Sequence, residues 1–599
     1  MTSRVLPELL APAGSPEALR AAVAAGADAV YFGASGFNAR AGAKNFSDAE
    51  LCRAVEHCHA NGVRVYLTLN TLVYDREMRE LIAAAERAYL AGVDALIVAD
   101  LGVAAVIKRT FPDLELHAST QMSGHSVAAA RELAGLGFSR MVLARELSRE
   151  DIFEFTKHSP IEAEVFIHGA LCVSHSGQCL FSSMVGGRSG NRGECAQPCR
   201  LPYNGGRYLL SLKDNCLAAH IPDLIEAGVA SLKIEGRMKG ADYVGGVVSI
   251  YRRLLDERRA ATERELDRLA GIFSRSGFTD GYFCGRIDHD MLGVRTERDK
   301  QRTTSHGAGT LTDAGAASET QKREPITLPP RSAHADEYSP CRPQGRTVAA
   351  RTAHMHSVRQ LTPAARQYFD ISFIPLRDAA KLTIPAAAGE NGGAIGAALT
   401  PVIPDSELPA VRAELAAARE HGVRDLLVGN IGHLSLAREF DMRPHGDMRL
   451  NICNRESAAA YEALGFCDMI LSPELTLPRL RDIGGRTQAI VYGRIPLMVT
   501  EKCAGRECGS CRGCAEGKNK LIDRRGVAFP VLRQPRHRSL IVNSLPTSMS
   551  DKQKQLQEYG LRGRHFIFTV ESAAEVDSVI RAFEGGRPIA GDCRRIAQK

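Results

Sequence analysis

Apolar runs of strand length alternate with amphipathic stretches from the first residues onward, and a glycine-containing turn closes each pair. This alternation constrains the fold most, because strands joined by helical crossovers pair in parallel. ELLAPAG (Glu8–Gly14) reads as the first strand, and SPEALRAAVAAG opens a helix with Ser15 as N-cap and ends it at Gly26. DAVYFGA, RVYLTLN, DALIVAD, LELHAS, RMVLARE and EVFIH follow, and ASLKIEGR (Ala230–Arg237) is the last. Eight β/α units over about 250 residues predict an α/β fold, a (β/α)8 TIM-like barrel. The runner-up is an open doubly wound sheet, but no GxGxxG follows the first strand.

RSGFTDGYFCGR (Arg275–Arg286) reads as a closing turn and strand, after which residues 301–345 are polar, rich in Ala, Ser, Thr and Pro, and free of apolar periodicity. They predict a mobile linker or insertion between a first domain over residues 1–300 and a second over 346–599. Alternation resumes in AIGAALT, DLLVGN, DMRLNIC, DMILSPE and QAIVYG. LGFSRMVLARELS (Leu136–Ser148) aligns without gaps on LGFCDMILSPELT (Leu464–Thr476), with seven of thirteen positions identical. EVFIHGALC corresponds likewise to AIVYGRIPL, and each leads into cysteines. Such self-similarity predicts a second, degenerate β/α barrel-like domain. Where the first copy has SLKIEGR, the second has HFIFTVES (His565–Ser572), without the Lys and Arg, so chemistry is expected in the first copy.

A chain of 599 residues can bury two full cores, since single domains rarely exceed roughly 250 to 300 residues. Neither a signal-peptide core nor an unbroken run of about 18 apolar residues is present, which predicts a cytoplasmic protein with no membrane partner. In a reducing compartment sixteen cysteines are not a disulfide framework, so their clustering carries the information. The net charge of +7 leans towards an anionic partner, RNA with no expectation of DNA, although over this length the field is weak.

The stretch Glu164–Cys199 gathers four thiols at the exit of one strand: Cys172 and Cys179, then, after a Gly- and Arg-rich loop, Cys195 and Cys199. Thiolates are soft ligands, and four of them satisfy either zinc or an iron-sulfur cluster. The spacing is looser than the paired Cys-x2-Cys knuckles of a zinc ribbon, and the residues alone leave [4Fe-4S] and zinc both open. One reactive thiol beside three structural ones is the main alternative. A second group, Cys503, Cys508, Cys511 and Cys514, lies in and beside polar AGRECGSCRGCAEG, where packing is a poor explanation, and predicts structural zinc or a second iron-sulfur cluster. Cys216 is close enough in sequence to be a reserve ligand, and the other cysteines read as small buried or incidental residues.

In a barrel the chemistry sits at the C-terminal strand ends. Asn70, Asp100, His117, Glu146, His168, Lys233, Glu235 and Arg237 are therefore candidates, each also readable as a capping or loop-anchoring group. Arg188, Arg192, Arg200 and Arg207 surround the first cluster, and RRGVAFPVLRQPRHR (Arg524–Arg538) follows the second. Guanidinium groups bind phosphate and stack on bases, so these patches are suited to flank RNA; the bland alternative is a solvated basic surface. Protease chemistry finds little support. Neither HExxH nor GxSxG occurs, and His57 and His59 are two apart and share no helix face. A Cys172 nucleophile assisted by His168 or His175 would not need three neighbouring cysteines.

Glu164–Ser182 resembles the signature of the U32 family, historically called collagenase-like peptidases. Glu164, Phe166, Gly169, Ala170, Leu171, Cys172, Gly177, Cys179 and Ser182 fit its pattern, with Phe181 in place of an aliphatic residue. ELLAPAGSPEALRAAVAAGADAVYFG, HASTQ, SLKIEGR and YGRIPLMVTEKC are similar to the family as well. The resemblance implies a barrel carrying an oxygen-sensitive [4Fe-4S] cluster, in a family whose members hydroxylate aromatic carbons without molecular oxygen. Their targets include a tRNA wobble uridine, with prephenate as oxygen source, a cytidine of 23S rRNA, and ubiquinone precursors. The tRNA and rRNA branches carry cysteines matching Cys172, Cys179, Cys195 and Cys199, and NRGECAQPCRLPY followed by LLSLKDN looks more like the rRNA branch. The implied function is C5 hydroxylation of a pyrimidine in RNA. On this expectation the four cysteines hold the cluster, and His168, Lys233, Glu235 and Arg237 are substrate or proton-transfer residues. Arg145 and Arg237 would hold the carboxylates of a prephenate-like donor, with His117, Arg188 and Arg192 as further substrate contacts. The competing classes are a peptidase and a non-catalytic RNA-binding or assembly factor.

Overall fold

A computed structural model describes residues 5–589 except 35, 41–44, 298, 300–322, 330, 333–337, 341–349, 388, 390–391 and 516. The strands expected in the first half are all present: β1 (Glu8–Pro12), β2 (Ala29–Phe32), β3 (Arg64–Leu69), β4 (Ala95–Val98), β5 (Glu115–Ala118), β6 (Phe138–Val142), β7 (Glu162–Gly169) and, after a three-residue strand β8 (Asp214–Cys216), β9 (Ser231–Ile234). Neighbours pair in parallel, β7 pairs with β9, and β9 returns to β1 with Lys233 opposite Leu10, which closes the barrel. Ser15 caps the first helix by accepting from the Ala18 amide. Strand β8 runs antiparallel to the end of β7 and carries the two-residue β10 (Phe278–Thr279). No longer strand forms in RSGFTDGYFCGR, because Gly277 and Gly285 take positive φ and turn the chain.

The second half also closes. Its barrel is β11 (Arg351–Met355), β12 (Ile371–Pro375), β13 (Ala394–Ala398), β14 (Asp425–Val428), β15 (Arg443–Gly446), β16 (Asp468–Ile470), β17 (Thr487–Gly493) and, after an insertion, β23 (Gly563–Phe568). The insertion holds an antiparallel sheet of β18 (Pro496–Thr500), β19 (Lys520–Ile522), β20 (Ala528–Arg533) and β21 (Ser539–Val542), then β22 (Thr547–Ser548). Two expectations change. The strand read in DMRLNIC lies instead at Arg443–Gly446, where parallel pairing with β14 overrides a proline and a glycine; Met448–Leu450 is a 3-10 turn. RTAHM and ISFIP, too short and mixed to stand out, supply the first two strands, so the copy has its full eight.

Both cysteine groups leave the same point of their barrel, the connection after the seventh strand. Gly169 ends β7 at φ +102, with β8 antiparallel beyond it; Gly493 ends β17 at φ +133, with β22 antiparallel to it. A Cβ on Gly169 would lie 2.6 Å from the Glu235 carbonyl oxygen, so the crossing of this loop over the eighth strand requires glycine.

Inside the second barrel His445 lies between Asp425 (Nε2 to Oδ1, 3.0 Å) and Asp468 (Nδ1 to Oδ2, 3.0 Å). Burial opposes its charge, but the two carboxylates overcome this and raise its pKa to about 10. The folded value lies above the unfolded one of about 6.5, so the stabilisation is fully present below about pH 6.5. It is lost as pH rises towards about 10, by up to about 1.4 kcal/mol per pH unit. Urea titrations from pH 6.5 to 9.5 should show this slope in the native chain and lose it in His445→Phe.

The C-terminal loops of the two barrels face each other. Asn454 donates to the Val73 carbonyl and to Asp100, each at 2.8 Å, and Ser457 donates to Asp100 at 2.6 Å. Asn430 donates to the Ser123 carbonyl at 2.9 Å. Asp100 is thus an N-cap and interface residue, the bland reading of a strand-end carboxylate. At Gly102 a Cβ would lie 2.8 Å from the Glu456 carbonyl carbon and closer still to the Ser457 amide. Gly102→Val should therefore loosen the contact by about 1–3 kcal/mol, detected as faster proteolysis between the barrels with each barrel's helicity retained.

Most of the polar segment 301–345 lies outside the described residues. Of those described, Arg323 pairs with Asp28 at 2.5 Å, the Ile326 amide donates to the His59 carbonyl, and Arg331 donates to the Tyr89 and Val93 carbonyls. That stretch is strapped to the first barrel. No described helix is long and apolar enough to cross a membrane.

Candidate active site

A cavity of about 520 Å³ opens at the C-terminal end of the first barrel, and Cys172, Cys179, Cys195 and Cys199 all line it. Two links bring them together. The helix Phe181–Gly186 starts one residue after Cys179, with Leu180 as its N-cap, and its Ser182 hydroxyl accepts from the Ala196 amide at 2.9 Å, tying the two cysteine pairs together. Arg200, beside Cys199, donates to the Leu171 carbonyl at 2.7 Å, beside Cys172. Cys172 and Cys195 are exposed to the cavity, whereas Cys179 and Cys199 are half-buried. Burial pushes the Cys199 thiol up to about 12 and raises those of Cys179 and Cys195. Without a metal group these thiols keep their protons at neutral pH, so ligation must displace them.

Four thiols on one cavity are a donor set for either a zinc ion or an iron-sulfur cluster. Four thiolates around tetrahedral zinc stand about 3.8 Å apart, as Zn–S bonds of about 2.3 Å require. Among the described residues, no three thiols of either tetrad have their sulfurs within 4.8 Å of one another. The Gln197 amide points at Cys195 Sγ from 3.3 Å, a hydrogen bond that favours the thiolate.

Opposite the thiols the wall is charged. Glu235 lies between Arg40 (3.2 Å) and Arg145 (3.5 Å). Burial alone would raise its carboxyl, but Arg40, Arg145 and Arg237 hold it below its ordinary value. Arg145 stacks on the Phe166 ring at 4.0 Å, and its Nε is buried without a hydrogen-bond partner. Lys233 reaches Glu164 at 2.6 Å and lies over the Tyr31 ring at 4.3 Å; burial lowers its pKa against the pull of Glu164. Arg237, brought down to about 10 by burial, donates to Thr68 and, at 2.9 Å, to Asn38. Asn70 and Arg188 complete the expected residues on the cavity wall.

Other expected residues are elsewhere. His168 does not line the cavity: a bulge between Phe166 and His168 breaks the alternation of β7 and turns the ring outward, 3.3 Å from Tyr251 Oη and edge-on to Phe278. Burial takes its pKa down to about 3, so it stays neutral. His117 is level with Arg140 within the lower barrel, against Tyr66 and Glu115, because barrel stagger sets it below the rim. Arg192 is bound to Glu77 at 2.7 Å and to the Leu72 carbonyl at 2.8 Å, stacked on Tyr74, and so anchors the loop. Cys216 lies against Tyr251, away from the four thiols, and is no reserve ligand. His175 lines the cavity but is held between Glu146 (3.5 Å) and Glu501 (3.1 Å), and among the described residues no hydrogen bond joins it or His168 to Cys172. Arg538 is buried against Glu407 and Glu501, so it leaves the basic patch, while Arg524, Arg525, Arg533 and Arg536 are exposed.

The sequence reading missed Arg40, Lys239 and Arg275, all on the cavity wall. Lys239, lowered to about 8 by burial and then by Arg275, lies just past SLKIEGR, so extending the strand-end rule by a few residues would have found it. Arg40 arrives on the loop after β2, and its pairing with Glu235 on the loop after β9 has no local signal.

The second tetrad does not enter the cavity. Cys503 precedes the helix Ala504–Cys508, and Cys511 and Cys514 lie on the helix Cys511–Ala515 packed against it. Its sheet supports the first tetrad. Leu171, Val173 and Phe181 share a core with Met498, Leu521, Phe529 and Ile541, on which Cys179, Cys199 and Cys508 also pack. Leu180, between them in sequence, is buried with Phe373, Ile490 and Ile567 of the second barrel.

Fold and site together define a two-barrel (β/α)8 protein with a thiol-walled, arginine-rimmed pocket over the first barrel. The sequence pattern of peptidase family U32 matches residues 14–292 and 384–518, and the chain belongs to that family. It is 44% identical over 259 residues to a 23S rRNA 5-hydroxycytidine synthase of Escherichia coli, a match that spans 42% of this chain and only 39% of that protein. It is 37% identical over 300 residues to a tRNA hydroxylation protein of Bacillus subtilis, 46% of this chain and 71% of that one. It is 36% identical over 324 residues to a collagenase of Porphyromonas gingivalis, 49% of this chain and 76% of that one.

Proposed function

We propose that this chain hydroxylates C5 of a pyrimidine in RNA, in rRNA or tRNA, without molecular oxygen and with a [4Fe-4S] cluster held by Cys172, Cys179, Cys195 and Cys199. The observation that carries this reading is the convergence of those four thiols and the Arg40–Glu235–Arg145 row on one cavity at the catalytic face of a barrel. Relatives named for rRNA and tRNA hydroxylation support RNA as the substrate class. A cluster bound there would supply the redox chemistry that hydroxylation without oxygen needs.

The protein's own groups bind and orient. Arg40 and Arg145 share one carboxylate, Glu235, which leaves a net positive wall for the carboxylates of a donor such as prephenate. Lys239, poised near neutral pH, can hold or release a proton beside the cavity. Exposed Arg188 and Arg207 suit phosphate, and exposed Tyr208 and Met238 offer surfaces on which an unstacked base can rest. The antiparallel sheet inserted into the second half adds Met498 to the pocket wall. The second tetrad is read as structural, for zinc or another cluster. A peptidase, suggested by the collagenase relative, remains the runner-up, but the placements of His168 and His175 give Cys172 no base.

The test is mass spectrometry of rRNA and tRNA from a strain lacking this protein. Loss of one 5-hydroxypyrimidine, restored by the gene, is expected. Persistence of every such base in a strain without a related enzyme rules the reading out.

A further inference from the structure

We propose that His220, Asp280 and Cys284 form a site for one divalent ion of the zinc class on the outer wall of the first barrel, separate from both cysteine tetrads. Among the described residues these three are the only set of His, Cys, Asp or Glu whose donor atoms all lie within 4.8 Å of one another. His220 Nε2 is 3.0 Å from Asp280 Oδ2. Cys284 Sγ is 3.3 Å from the same oxygen and 3.6 Å from Nε2. Zinc bonds of about 2.0–2.1 Å to nitrogen and oxygen and about 2.3 Å to sulfur, meeting near the tetrahedral angle, require edges of roughly 3.3 Å between N and O and roughly 3.5 Å to S. The observed triangle matches those edges, so an ion enters with little movement of the ligands.

The surroundings orient the same three atoms. Asp223 Oδ2 lies 3.4 Å from His220 Nδ1, the carboxylate–histidine arrangement that keeps the proton on Nδ1 and leaves Nε2 free to ligate. Arg149 holds Asp223 at 3.0 Å, and Arg286 donates to both oxygens of Asp280, Oδ1 at 2.9 Å and Oδ2 at 3.1 Å, which fixes the carboxylate beside the histidine and the thiol. Local structure supplies the rest. His220 immediately precedes the helix Ile221–Ala227, its ring against Phe283, and the Cys284 amide donates to the Asp280 carbonyl so that both side chains share one face of a turn. Three protein ligands leave a fourth position at the solvent-facing side for water, since Cys284 is exposed. The ion would pin the turn after β10 to the start of that helix, replacing the thiol proton and any proton held on Nε2. Without an ion the same triangle is an imidazole hydrogen-bonded between Asp223 and Asp280, with the thiol donating to Asp280. The two descriptions differ by one metal equivalent.

The full-length protein, dialysed against chelator and then against Zn2+, should take up one more equivalent of zinc than Cys284→Ser and His220→Gln, with iron unchanged in all three. With Co2+ as the probe, the thiolate-to-cobalt charge-transfer band should be weaker in Cys284→Ser than in the native chain by the contribution of one single-thiolate site, over the constant background of the cysteine tetrads. Asp223→Asn keeps every ligand and should weaken zinc binding about 10- to 100-fold; it decides the matter should either ligand variant also lose iron. Equal zinc uptake in the native chain and all variants, with an unchanged cobalt spectrum, overturns the site and leaves a hydrogen-bonded triangle without metal.

Discussion

On the proposed function, Cys179→Ser is expected to prevent the first tetrad from holding iron and to lower 5-hydroxypyrimidine formation by more than about 100-fold. Substitutions one shell further out from a metal already cost roughly 10- to 100-fold, and serine is a poor ligand for a soft ion. Cys179 is the thiol for which this is sharpest. It packs on the core shared by the two tetrads, and its neighbours Leu180 and Phe181 are clamped in that core and in the second barrel, so no other residue can slide into its place. Two controls isolate the effect. Cys216→Ser, next to Tyr251 Oη, should keep iron and activity, and Cys514→Ser should remove metal from the second tetrad only. Iron per chain and mass spectrometry of RNA from complemented cells report both. Full hydroxylation by Cys179→Ser would falsify the role given to the tetrad.

Glu164→Gln should cost about 3–5 kcal/mol, because it leaves Lys233 buried without its counter-ion. Glu164 is fully buried, with Lys233 at 2.6 Å and Arg140 at 3.4 Å. Arg140 keeps Glu8 and Glu162, at 2.7 Å each, so the deficit falls on the lysine. Burial already lowers the Lys233 pKa, and losing the carboxylate lowers it further, which removes a cation from the cavity wall. Stability and activity should therefore fall together in the single variant and separate in Glu164→Gln/Lys233→Met. The double variant removes the uncompensated buried charge and should recover part of the stability, while activity stays low. Urea midpoints and RNA modification levels distinguish this from a direct catalytic role for Glu164. Activity retained by the single variant despite the stability loss would show that the Lys233 charge is not used.

The strand-end rule worked where a side chain follows the barrel's regular alternation and failed where geometry departs from it. Lys233, Glu235 and Arg237 reach the cavity because β9 is straight and parity places them there. His168 obeys the same rule on paper, and one bulged residue sends it to the helix Ala241–Asp256 instead. His117 fails through stagger, since the height of a residue in a closed barrel depends on both neighbours and not on its distance from its own strand end. The arginines divide by partner. Arg188 stays on the cavity wall, whereas Arg192 and Arg538 meet carboxylates more than 100 positions away in sequence.

By itself the sequence determined the repeating β/α order, the duplication and the two thiol groups, because hydrophobic periodicity, self-similarity and cysteine spacing are local or linear properties. Only the tertiary structure decided that the second barrel is complete, that its sheet and Leu180 contacts buttress the first tetrad, and that Arg40 joins Glu235 and Arg145 in one wall. It also brought His220 to Asp280 and Cys284, which no motif links. Those facts depend on closure, register and long-range charge pairing, which act between segments whose separation in the chain says nothing about their distance in space.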